Sequence, residues 1–116
     1  MKTLLLIALL ALAVAVPANA ATPTLTGTVG PGFTITLKKS GAKVTSLKRG
    51  TYKFVISDKS SMHNFHLKGP NGYSKQLTGI SYTGTKTYTI TLKPGTWRFV
   101  CDPHALTMKG SFKVTS

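Results

Sequence analysis

Tyr88-Thr89-Ile90-Thr91-Leu92-Lys93-Pro94-Gly95-Thr96-Trp97-Arg98-Phe99-Val100-Cys101 decides the fold class of this chain. Apolar side chains fall at every second position from Tyr88 to Leu92, and again through Trp97, Phe99 and Cys101. Side chains alternate between faces along an extended backbone, so this pattern marks two half-buried strands. The intervening Lys93-Pro94-Gly95-Thr96 is a tight-turn signal: proline presets φ at the second position, and glycine permits a positive φ at the third.

The same period appears upstream in Phe33, Ile35 and Leu37 and in Tyr52, Phe54 and Ile56. Leu25 to Val29 reads as a short strand before a Gly30-Pro31-Gly32 turn, and Phe112 and Val114 mark a closing strand. Between Gly69 and Gly84 the pattern weakens into an irregular connection. No stretch after residue 21 has helical periodicity. The expectation is one all-β domain over residues 21–116, an antiparallel Greek-key sandwich of about seven to eight strands.

Residues 1–20 read as a cleavable signal helix. Lys2 supplies a positive start, Leu4 to Val16 is continuously apolar, and Ala18-Asn19-Ala20 is a small-x-small cleavage pattern. The run is shorter than the roughly 20 apolar residues that span a bilayer. This predicts export, to a periplasmic or extracellular location, of a chain beginning at Ala21.

The 116-residue sequence has a formal charge of +13, and its only acids are Asp58 and Asp102. Such a field favours acidic partners, anionic lipid headgroups or cell-wall polyanions. The lysines are scattered along strands and turns rather than grouped with exposed aromatics, which argues against nucleic acid. Cys101 is the single cysteine. No internal disulfide can form, and an unpaired thiol in an oxidising compartment needs protection, which a metal bond would provide.

Two separated patches carry the chemistry: Ser61-Met62-His63-Asn64-Phe65-His66-Leu67, and Cys101-Asp102-Pro103-His104-Ala105-Leu106-Thr107-Met108-Lys109-Gly110. Each residue alone has a duller reading, the histidine as a hydrogen-bonded core group, the methionine as packing, the cysteine as an inert thiol. Their coincidence, C-x2-H-x3-M after a strand plus an upstream histidine, is the donor set of a trigonal copper site with a weak axial sulfur. Zinc can use the same imidazoles and thiolate, but a thioether favours copper. Taken as one strand, His63 to Leu67 puts His63 inward with Phe65 and Leu67, and leaves Asn64 and His66 on the polar side. Cys101 shares the inward face of Trp97 and Phe99, and His104 is the donor nearest solvent. The expected metal ligands are therefore His63, Cys101, His104 and Met108.

Through His63-Asn64, then Cys101, His104, Met108 and Gly110, and the Pro-Gly turn before the cysteine strand, the chain resembles the plastocyanin/azurin family of cupredoxins across essentially all of residues 21–116. The resemblance implies a cupredoxin-like sandwich, one blue (type 1) copper ion and one-electron transfer between redox partners, with no enzymatic turnover. Three residues separate His104 from Met108, as in azurins, where plastocyanin-like members often have four; the azurin likeness also raises the Gly32 carbonyl as a further contact. Acidic redox proteins are the expected partners, and the expected state is a monomer. A copper delivery or storage protein, and a basic structural or adhesive module with a metal-reinforced fold, are the rival readings.

Overall fold

The computed structural model describes residues 21–116, and the expected signal helix lies outside the described residues. Ten strands follow in order: β1 (Thr24–Val29), β2 (Ile35–Lys39), β3 (Ala42–Lys43), β4 (Ser46–Lys48), β5 (Gly50–Asp58), β6 (Phe65–Lys68), β7 (Ser74–Thr78), β8 (Gly84–Leu92), β9 (Gly95–Val100) and β10 (Lys109–Thr115). Short 3-10 turns occupy Pro70–Gly72 and Asp102–His104. The strands form two five-stranded sheets, ordered β3-β2-β1-β5-β8 and β4-β10-β9-β6-β7.

The strand count exceeds the expected seven to eight because β3 and β4 are two and three residues long, too short to display a period. The third addition, β7, sits in the stretch read as irregular, where only Leu77 and Thr78 are buried. The sandwich is also not wholly antiparallel. β1 runs parallel to β5, and β10 runs parallel to β4.

The Pro-Gly turn after β8 is not a hairpin. β8 pairs with β5, whereas β9 pairs with β10 and β6, so the turn carries the chain from one sheet to the other. Gly95 sits there at φ 140, a conformation open to glycine and strained for other residues. The indole N–H of buried Trp97 donates to the Lys93 carbonyl at 2.9 Å, which satisfies the ring's polar atom and ties strand to turn.

The inward rows of both sheets meet as one core, including Leu25, Phe54, Ile56, Leu67, Trp97 and Phe112. Phe65 and Phe99 stack at 5.4 Å between centroids and 13° between planes. Gly110 on β10 lies opposite Phe99 on β9, and a Cβ at Gly110 would run into the Phe99 ring. Because that ring is held by its stack on Phe65, it has little room to yield. Gly110→Ala should destabilise the domain by about 1–3 kcal/mol, the usual cost of overpacking, read as a lower urea midpoint with unchanged slope.

Candidate metal centre

Cys101 follows directly on β9, on the inward side with Trp97 and Phe99, and is fully buried. Pro103 lies in the 3-10 turn that reverses the chain. The returning loop is closed by its own backbone: Cys101 N–H donates to the Met108 carbonyl at 3.0 Å, His104 N–H to the Cys101 carbonyl at 3.0 Å, and Met108 N–H to the His104 carbonyl at 2.8 Å. Cys101, His104 and buried Met108 are thus carried by one cross-braced loop. His63 arrives from the connection between β5 and β6. It is buried, but strand parity does not put it there, because β6 begins only at Phe65. For the same reason Asn64, expected on the polar side, is fully buried at 0 % exposure.

The Nδ1 atoms of His63 and His104 face each other at 3.1 Å, and Cys101 Sγ lies 3.6 Å from each. The Gly32 carbonyl stands 2.9 Å from His63 Nε2. A carbonyl only accepts, so Nε2 carries the proton and donates, which leaves the Nδ1 lone pair of the neutral ring aimed into the triangle. A metal ion suits this arrangement. Bonds of about 2.0 Å to imidazole nitrogen and about 2.3 Å to thiolate sulfur would span each edge of the triangle, since every edge is shorter than the two bonds that would cross it. The donor set of one soft thiolate and two imidazoles, with a thioether residue buried in the same loop, matches copper.

No protein-family model matches this sequence, nor does any curated protein. Solved structures do match. The copper protein rusticyanin superposes with a TM-score of 0.60 at 16% identity, covering 83% of this chain and 79% of the other. Rusticyanin from Thiobacillus ferrooxidans gives 0.57 at 21% identity with the same two coverages. The Cu(I) form of an amicyanin variant gives 0.53 at 16% identity, covering 84% of this chain and 87% of that one. This chain has the cupredoxin fold.

Within this fold the donor triangle is capped by a residue that periodicity misassigns. Phe33, expected within a half-buried strand, precedes β2 and is 65% exposed. Its ring lies 5.4 Å from that of His63 and 5.0 Å from that of His104, the latter edge-on at 80°. The usable signal is the Gly30-Pro31-Gly32 turn, which delays the strand by holding both glycines at positive φ.

The two ligand-bearing segments are clamped behind the triangle. Asn64 Nδ2 donates to Asp102 Oδ2 at 2.7 Å, and Asp102 N–H donates to Asn64 Oδ1 at 2.7 Å. His66, expected at the surface, is instead largely covered. Its Nδ1 meets the Asp102 carboxylate at 2.9 Å and 3.0 Å, and its Nε2 meets Ser74 Oγ at 2.6 Å. Parity places it on the outer face of the sheet, as expected, but the Asp102 turn and β7 fold over it. Burial alone would raise the Asp102 pKa; the hydrogen bonds from Asn64 and His66, with the charges of His66 and Lys68, outweigh it and hold the carboxyl below the ordinary range.

A carboxyl with a depressed folded-state pKa stabilises the fold above its unfolded pKa of about 3.9, and that contribution disappears as pH falls through the lower folded value. The metal-free protein's urea midpoint should therefore decline below about pH 4. In Asp102→Asn the acid decline should be shallower; an identical decline in both proteins would show that Asp102 has no part in it.

Proposed function

We propose that this protein is an exported one-electron carrier holding a single type 1 copper ion through His63, Cys101, His104 and Met108. The observation that carries this reading is the triangle of two facing Nδ1 atoms and a buried Sγ, with edges of 3.1, 3.6 and 3.6 Å. When bound there, copper supplies a reversible Cu(I)/Cu(II) couple. The chain's part is to keep the donors still. Thiolate and thioether favour Cu(I) while imidazole serves both states, so a loop braced by its own backbone bonds and by Asn64–Asp102 has little to rearrange when the charge changes.

The route out is through His104, the least buried of the four residues. Phe33 and Leu106, the latter 88% exposed, surround it with apolar surface against which a partner can exclude water. Of the two acids, Asp102 is directed to Asn64 and His66, and Asp58 accepts from the Ser60 N–H. The carrier is read as a non-enzyme, a monomer and, from its leader sequence, a periplasmic or extracellular protein.

The test is to add Cu(II) to the purified protein, record the visible spectrum, then reduce and reoxidise it. A strong thiolate-to-copper band that bleaches and returns with copper retained is the expected result. A colourless protein with weak d–d absorption would sink the proposal. Loss of the metal on reduction would make the protein a delivery or storage module instead.

A further inference from the structure

The charge of this molecule is unevenly distributed, and the unpartnered part of it borders the metal loop. Among the described residues no lysine or arginine forms an ion pair with an acid; the one pairing with an acid is His66 with Asp102. Lys75 and Lys86 rest over the rings of Tyr88 and Tyr82, at 4.7 Å and 4.4 Å. On the outer face of β6, β9 and β10 the compensating acid is Asp102, which is engaged by His66 and Asn64. There Lys68 is directly opposite Arg98, and Arg98 is opposite Ser111; in the next rank Val100 is opposite both His66 and Lys109. Like charges placed directly across a sheet are destabilising, and Lys68 and Arg98 form such a pair.

Arg98 and Lys109 also line a groove of about 720 Å³, together with Lys43 and with Ala105, the residue after His104. The outer face of the other sheet is different. Ranks of threonine from β1 and β8 cover much of it, with Lys53 set between Thr24 and Thr89, while Lys38 lies opposite Lys43 on the groove side.

We infer that the groove between Lys43, Arg98 and Lys109 is the docking site for a carboxylate-rich face of a partner protein. Two observations select a protein over an anionic bilayer. The cations line a recess, which admits a projecting acidic side chain or loop better than a flat headgroup plane. Ala105, the chain neighbour of His104, is part of its lining, so an occupant docks beside the loop that carries this proposed ligand, a placement that serves electron exchange. This last point rests on the carrier reading above, whereas the surface itself does not depend on it. At low ionic strength the patch would speed encounter with the partner, and salt would weaken it over a Debye length of roughly 10 Å at 0.1 M.

The experiment measures binding of fluorescently labelled poly-L-glutamate by anisotropy. It compares the protein with Arg98→Glu/Lys109→Glu and with Lys53→Glu/Lys93→Glu, which makes the same change in net charge at exposed residues that do not line the groove. Circular dichroism checks that each is folded. The groove pair should weaken binding about tenfold at low salt and the control pair less than about twofold. Equal losses in the two pairs would overturn the proposal, because net charge alone would then be acting. Tighter binding to phosphatidylglycerol vesicles than to poly-L-glutamate would overturn it in favour of a lipid surface. Cys101→Ala should bind poly-L-glutamate as well as the parent does. If no blue centre forms yet the groove pair still weakens binding, the carrier reading fails and the docking site stands. A blue protein that ignores poly-L-glutamate would leave the carrier and remove the docking site.

Discussion

Cys101→Ala should abolish the intense visible absorption of the copper-loaded protein, leaving only weak d–d bands. The band requires a thiolate bonded to copper, and Cys101 is the only cysteine in the sequence. Its Sγ is buried and has the two imidazole Nδ1 atoms, 3.6 Å away, as its polar neighbours. Removing it takes away the soft donor and opens one corner of the triangle. Copper affinity should fall by more than the roughly 10- to 100-fold that loss of a supporting hydrogen bond costs a metal site. The metal-free fold should hardly notice: the missing sulfur is worth about 1 kcal/mol of burial, on the scale of one methylene. Absorption spectra, copper titrations and urea midpoints on the same preparation separate these effects. A blue band surviving in the alanine variant would place the copper elsewhere.

Asn64→Ala should weaken both the fold and the metal site. The side chain is fully buried and satisfies Asp102 twice, through its backbone N–H and its carboxylate, both at 2.7 Å. Alanine leaves the Asp102 N–H without its partner, at about 1–3 kcal/mol, whereas the carboxylate, 40% exposed, keeps His66 and water. A net loss of about 2 kcal/mol would lower the melting temperature of a domain this size by roughly 8–16 °C. The loss should extend to the metal site, because Asn64 and Asp102 are the chain neighbours of His63 and Cys101. Copper should leave faster from Asn64→Ala than from the parent under the same chelator challenge. Asn64→Asp, the same shape with a charge, should be no better, since it sets one carboxylate against another. A melting temperature within a degree or two of the parent would show that the clamp is ornamental.

The strands that sequence reading recovered are those long enough to repeat a period against a buried face. β1, β5, β8, β9 and β10 each alternate over five or more residues. It missed β3 and β4, which are held by register with longer neighbours and not by a pattern of their own. It placed Phe33 inside a strand because two-residue spacing does not reveal where a turn releases the chain. It put Asn64 on a polar face by extending alternation past the strand's beginning at Phe65. Parity did put His66 on the outside of its sheet, but could not foresee that the Asp102 turn and Ser74 would cover it.

By itself the sequence determined the all-β class, the inward faces of the long strands and the chemical types of the candidate donors, because side-chain period and ligand softness are local properties. Which sheet each strand joins, the approach of His63 to Cys101 across 38 residues, and the Asn64–Asp102–His66 clamp were decided only in three dimensions. Those features arise from pairing between distant segments, and a chain carries no local mark of the partner that its backbone and buried polar groups will find.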